Sequence, residues 1–169
     1  MNHISRKTFG ELFQSVFQKG IGVEIGVQHG YNSQLIKESG WKGDLVCVDI
    51  WEDKEAYKTF QEIKDAYKFI EIKGKSVDCA NLFADESLDF VYIDADHSYE
   101  SVKADFNAWF PKVRTGGIIS GHDYGINDCI GVKHFIDEYM KLNPSCEMKF
   151  TYDDFWSFME YQSWWMIKK

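Results

Sequence analysis

The chain has no surplus of positive charge. Its 27 aspartates and glutamates outnumber its 19 lysines and arginines, for a net charge of −8. A nucleic acid backbone is gripped by basic surface, so no nucleic acid is expected as a partner. No apolar run approaches the ~20 residues that span a bilayer. The opening Met1-Asn-His-Ile-Ser-Arg-Lys7 lacks the apolar centre of a secretory signal. The expectation is a cytoplasmic protein with no membrane partner. Only four cysteines occur. Cys47, Cys79, Cys129 and Cys146 show no metal-type spacing and read as reduced thiols, Cys47 as a small buried hydrophobe. The two prolines, Pro111 and Pro144, each follow a helix-like stretch as a stop. There is no repeat, low-complexity tract or linker, and 169 residues suffice for one core. Residues 1–169 are read as a single domain.

What the chain does have is apolar strands that end in charge. Leu88 to Ile93 is an uninterrupted apolar stretch apart from Asp89, and it runs into Asp94-Ala-Asp96-His97. Gly117-Ile-Ile-Ser-Gly121 runs into His122-Asp123-Tyr124 in the same way. Buried parallel strands read like this, and open α/β sheets bind their ligands at the carboxyl ends of such strands. Ile21 to Ile25, Leu45 to Ile50 and Phe69 to Ile72 supply three more strands. Helical spacing marks Asn32 to Ser39, Lys54 to Tyr67, Val77 to Phe83, Tyr99 to Phe110 and Ile130 to Leu142. The alternation predicts an α/β, Rossmann-like fold: a seven-stranded, mostly parallel sheet with helices on both faces. Cys146 to Thr151 and Trp164 to Lys168 have no clear helix between them and should form an antiparallel C-terminal hairpin, the last strand beside the fifth.

Ile21 to Ile25 leads into Gly26-Val-Gln-His-Gly30, a glycine turn that opens the next helix. The two glycines permit a tight turn, and the helix N-terminus beyond Gly30 offers free N–H groups to an anion. Gln28 stands where a dinucleotide fingerprint has its middle glycine, which argues against a dehydrogenase. One strand later Asp49 ends Leu45 to Ile50, a position from which an acid holds a ribose diol. Turn and acid in this order favour a nucleoside ligand.

With these segments in view, the chain resembles a class I S-adenosylmethionine-dependent methyltransferase. Glu24 to Gly30, Val48-Asp49, Tyr92 to Tyr99 and Gly117 to Tyr124 are similar to metal-dependent small-molecule O-methyltransferases. The branch acting on antibiotic sugars, and its cephalosporin-hydroxylase-like relatives, carries an Ile-Asp-x-Asp-His-x-Tyr segment of this kind. The resemblance implies S-adenosylmethionine as cofactor. Glu24 would meet its amino group, and Gly26 and Gly30 would form the turn beneath it. Tyr31, Asn32 and Ser33 would meet its carboxylate. Asp49 would take the ribose hydroxyls. Ile50 or Trp51 would cover the adenine, and Ser76 would meet the adenine edge. Asp94 would border the cofactor and also bind a divalent metal with Asp123 and His122. His97 would be the general base. Relatives often carry Asp-Asp or Asp-Asn where this chain has His122-Asp123. Asp94, Asp123 and water suit Mg2+, whereas a contributing His122 shifts the preference toward Mn2+ or Zn2+.

The expected activity is O-methylation of a small hydroxylated acceptor, a sugar or natural product. Two alternatives stay open: a metal-independent N- or O-methyltransferase, and a non-catalytic S-adenosylmethionine-binding subunit. The stretch before Ile21 is short, so the acceptor site should be open or roofed by a second subunit in a homo-oligomer. Some residues have plainer readings. Asp96 could cap the helix near Tyr99, His122 could be a loop histidine, and His29 and His134 read as turn and helix-surface residues. Trp41, Trp109, Trp156, Trp164 and Trp165 read mostly as core, with Phe155, Trp156 and Tyr161 in a loop bordering the acceptor mouth.

Overall fold

A computed structural model describes residues 4–17, 19–125, 130–151 and 162–169. The strands are β1 (Ile21–Ile25), β2 (Asp44–Asp49), β3 (Ile70–Lys73), β4 (Leu88–Ile93), β5 (Val113–Tyr124), β6 (Lys149–Phe150) and β7 (Gln162–Ile167). They form one sheet in the order β3-β2-β1-β4-β5-β7-β6. The first five pair in parallel, and β7 lies antiparallel to both β5 and β6. The expected architecture is the observed one: a Rossmann-like sheet with an antiparallel C-terminal end. Strand order reverses between β1 and β4, which creates the crevice where open α/β sheets take their ligands.

The helices are α1 (Phe9–Val16), α2 (Tyr31–Glu38), α3 (Lys54–Tyr67), α4 (Ser76–Ala80), α5 (Tyr99–Trp109) and α6 (Ile130–Leu142). Successive strand residues point to opposite faces, so the two faces carry two cores. Val23, Ile25, Val91 and Ile93 pack with Phe106 and Trp109 of α5 and Phe135 of α6. Phe90, Tyr92 and Leu45 pack on the other face with Phe9 and Phe13 of α1 and Phe60 of α3. Asp53 starts α3 by accepting the N–H groups of Glu55 (2.9 Å) and Ala56 (3.2 Å), and Ser98 caps α5. The tryptophans expected in the core are buried at Trp41, Trp109, Trp164 and Trp165; Trp156 lies outside the described residues. Among the described residues no helix is long and apolar enough to cross a membrane.

The sequence reading differs most before β1, where no element was expected. A single 3-10 turn, Arg6–Thr8, leads into α1. Phe9, Phe13 and Phe17 fall four residues apart and are all buried; the first two form a stripe of α1 laid on the sheet, and Phe17 follows at its C-cap. Phe13 stacks on Phe90 at 3.6 Å and 9°, and Phe9 meets Tyr92 edge-on. Gly22 makes that layer possible, since a Cβ there would fall 2.0 Å from the Phe90 ring. At the other end, the strand expected from Cys146 shrinks to Lys149–Phe150, while β5 extends back to Val113.

Because Phe13 is fully buried against Phe90, Phe13→Ala should destabilise the fold by about 3–5 kcal/mol. Chemical denaturation measures this. A loss below about 1 kcal/mol would show that α1 is not part of the cooperative core.

Candidate active site

The carboxyl ends of β1, β2, β4 and β5 open into one cavity of about 900 Å3. Its floor is the turn after β1. Gly26 has φ +81, and a Cβ there would sit 2.0 Å from the Asp94 carbonyl oxygen, so only glycine lets the two strand ends lie this close. Glu24 lines the cavity but is almost wholly buried. Burial lifts its carboxyl to about 7, against the opposing hydrogen bonds from Ser33 and Asn32. The Asn32 amide donates to Glu24 at 3.0 Å, and the Ser33 hydroxyl donates to its other oxygen.

Asp49 also lines the cavity, held by two backbone donors. Gln28 N–H reaches Oδ2 at 2.8 Å and Trp51 N–H reaches Oδ1 at 2.6 Å. Each oxygen keeps acceptor capacity beyond these bonds. Ile50 lines the cavity and is exposed; Trp51 does not line it. The Trp51 ring turns back into the core, stacks on Phe60 at 4.7 Å and donates to the Gln28 carbonyl at 2.8 Å. Ser76 opens α4 at the cavity wall, where its hydroxyl accepts the Trp109 indole N–H at 2.8 Å.

The far end of the cavity is acidic and imidazole-rich. Asp94, His97 and Asp123 bring one donor atom each to within 4.8 Å of one another. Asp123 has φ +61 and lies between two imidazoles. His97 Nε2 donates to one of its oxygens at 2.8 Å and His122 Nδ1 to the other at 2.9 Å. Burial alone would raise the Asp123 carboxyl, but these N–H donors outweigh it and hold Asp123 well below the usual carboxylate range. In return, hydrogen bonding to Asp123 lifts His97 above its ordinary value. Asp94 is pushed up by burial, with Arg6 and His122 opposing the shift.

Of the residues singled out in the sequence, Glu24, Gly26, Tyr31, Asn32, Asp49, Ile50, Ser76, Asp94, His97, His122 and Asp123 all line the cavity. Gly30, Ser33 and Trp51 do not. Gly30 (φ +84) shapes the turn against Phe60, and Ser33 supports Glu24 from behind. His122 lies outside the donor group and bears on Asp123; His97 stands in the group instead. Asp96 accepts the Ser98 N–H at 2.7 Å, the turn that leads into α5. Phe155, Trp156 and Tyr161 lie outside the described residues.

Sequence reasoning missed Arg6. Its Nη2 donates to Asp94 Oδ2 at 2.5 Å, and its Nε donates to Asn32 Oδ1 at 3.0 Å. Its Nη1 lies 3.5 Å from both ring nitrogens of His122. The stripe of Phe9, Phe13 and Phe17 could have revealed the helix behind it, but no motif announces that the preceding arginine points into the cavity.

The family model described as a methyltransferase domain matches residues 23–124, more than half of the chain. The chain belongs to this methyltransferase family. The matched stretch contains the whole glycine turn and both acidic strand ends. The uncharacterized protein y4gI of Sinorhizobium fredii (strain NBRC 101917 / NGR234) is 25% identical over 77% of the chain. The chain spans only 16% of that protein's length. Among solved structures, the O-methyltransferase of Bacillus cereus in complex with SAH has a TM-score of 0.74 at 17% identity, covering 99% of this chain and 84% of that one. TomG of Streptomyces achromogenes, an O-methyltransferase involved in tomaymycin synthesis and solved with SAM, also scores 0.74 at 12% identity, covering 97% and 80%. The fold is that of class I methyltransferases.

The His97–Asp123 pair makes a prediction of its own. By NMR, the His97 imidazole should titrate above the ordinary value of about 6.5, staying protonated to higher pH because the carboxylate favours the charged ring. Asp123→Asn removes that negative partner and should lower the midpoint. An unchanged midpoint would show that the pair does not set it.

Proposed function

We infer that this methyltransferase domain moves a methyl group from S-adenosylmethionine to a hydroxyl of a small acceptor, a sugar or other hydroxylated natural product. A divalent cation beside the reacting oxygen, Mg2+ before Mn2+ or Zn2+, completes the reading. One observation carries it: Asp94, His97 and Asp123 converge within 4.8 Å in the same cavity that Glu24 and Asp49 line. A fold alone does not name a reaction; a proton acceptor and two carboxylates in the cavity that Glu24 and Asp49 line narrow it. The SAH and SAM held by two O-methyltransferases of this fold support the choice of methyl donor. The net charge of −8 supports a small acceptor over a nucleic acid.

In this reading the donor lies along β1 and β2. Glu24 takes its amino group, and Tyr31 and Asn32 border its carboxylate at the start of α2, where the helix dipole favours an anion. Asp49 accepts from the ribose hydroxyls, while Ile50 and Ser76 flank the adenine. Gly26 keeps the floor low enough for the donor to approach. The two carboxylates of Asp94 and Asp123 suit a hard divalent ion, and donor atoms within 4.8 Å of one another can share one through bonds of ~2.0–2.6 Å. Asp94 and Asp123 would hold it, and when bound it would lower the pKa of the acceptor hydroxyl. His97 takes the proton as the acceptor oxygen bonds to the methyl carbon and the carbon–sulfur bond breaks. Asp123 orients His97 for that transfer, and His122 orients Asp123. The Arg6–Asp94 ion pair of 2.5 Å supports a second reading, methyl transfer without a metal, in which the guanidinium supplies the positive charge.

Calorimetry should detect binding of S-adenosylhomocysteine and none of NAD. Asp49→Ala should weaken that binding by about 1–3 kcal/mol, the range for hydrogen bonds to a charged group. Absence of S-adenosylhomocysteine binding would refute the donor assignment.

Turnover with hydroxylated acceptors should fall on adding a chelator and return with Mg2+; insensitivity to chelator would select the metal-free reading. His97→Ala should slow turnover by about 10²–10⁴-fold, the usual contribution of a positioned base. Because His97 must be neutral to accept a proton and Asp123 lifts its pKa, the wild-type rate should rise with pH through a step above the ordinary histidine range. The variant should lose that step. A fully active His97→Ala protein with an unchanged profile would remove His97 from the chemistry.

A further inference from the structure

Asp94 already has a cation. Arg6 Nη2 lies 2.5 Å from Asp94 Oδ2, and a guanidinium stays charged at any working pH. The same group is steered from two sides: its Nε bonds Asn32 at 3.0 Å, and its Nη1 lies 3.5 Å from the His122 ring. Yet Asp94 is also one of the three donors that converge with His97 and Asp123. An ion bonded to Asp94 at ~2.0–2.6 Å would come within about 5 Å of the docked guanidinium. Three positive charges would then face the two negative charges of Asp94 and Asp123 in a half-buried site. The two carboxylates balance a divalent ion only when Arg6 has withdrawn. The Arg6 side chain is about one-third exposed, whereas Phe9, three residues on, is fixed in the core. The arginine therefore has room to withdraw as a side chain while its backbone stays anchored.

We propose that Arg6 is a tethered competitor of the divalent cation: guanidinium and ion are mutually exclusive partners of Asp94, and loading the ion releases Arg6. This rests on the cation site of the preceding section and adds what regulates its occupancy. Arg6 is thus a positioning residue that keeps Asp94 paired until an ion arrives. It also joins the two ends of the cavity, because its second partner, Asn32, donates to Glu24.

The test titrates purified protein with Mn2+ alone and counts free ion by electron paramagnetic resonance. Arg6→Gln should bind Mn2+ at least about tenfold more tightly than wild type. Arg6→Lys keeps the charge and should stay near wild type, which separates competition from mere loss of a side chain. Circular dichroism melts confirm that each variant is folded. Equal affinities in wild type and Arg6→Gln, or weaker binding by Arg6→Gln, would overturn the competition while leaving the cation site standing. No Mn2+ binding by any of the folded proteins would overturn both the competition and the cation site. The methyl donor stands or falls separately, on S-adenosylhomocysteine binding by the wild type.

Discussion

A carboxylate taken out of water needs a positive partner, or it takes up a proton. Asp94 is in that position at the end of β4, with its side chain only 13% exposed. Its partner comes from far away in sequence: Arg6, from the turn before α1. That single contact joins parts of the cavity that are far apart in sequence. It ties the N-terminal turn to the cavity, and through Asn32 it reaches Glu24, a buried carboxyl of the cavity. Ser33 holds the remaining Glu24 oxygen from behind. A polar network of this kind stays in a protein interior only when its members are paired.

The sheet supplies the geometry that makes this network possible. β1 and β4 lie side by side at the reversal of strand order, so Glu24 and Asp94 end adjacent strands. β2 and β5 flank them and bring Asp49 to one side and Asp123 to the other. Glu24, Asp49 and Asp94 are delivered by strands whose other residues are almost entirely buried, and Asp123 by β5, which is buried from Gly117 to Gly121. The hydrophobic cores on the two faces anchor the strands, and the charged ends stand on that rigid base. Catalytic groups placed at strand ends keep their spacing better than groups on loops.

Charge is divided along the cavity. At the glycine-turn end, Glu24 is lifted to about 7 by burial and Asp49 is tied to two backbone N–H groups. At the other end, N–H donors from two imidazoles hold Asp123 well below the usual carboxylate range against its burial, and hydrogen bonding to Asp123 lifts His97 above its ordinary value. Carboxyl groups in one cavity are thus pushed in opposite directions by their surroundings, one by desolvation and one by donors. Such divergence is what separates binding groups from acid–base groups in catalytic sites.

The sequence by itself determined the sheet and its charged edge. Buried parallel strands are local signals, runs of apolar residues cut off by turns and acids, so Glu24, Asp49, Asp94 and Asp123 could be set at strand ends without a structure. Only the tertiary structure decided which neighbour of each acid turns inward. Trp51 and Asp123 both adopt positive φ, at 43° and 61°. Such a residue breaks the alternation of an extended chain, so period alone cannot say whether Ile50 or Trp51 faces the cavity, or whether His122 reaches the donor group or only Asp123. Here Ile50 faces the cavity while Trp51 turns back onto Phe60, and His97 joins the donors while His122 braces Asp123. Arg6 was out of reach for a related reason. Its role depends on contacts 26 and 88 residues away along the chain, and these exist only once the stripe of Phe9, Phe13 and Phe17 has docked against the sheet.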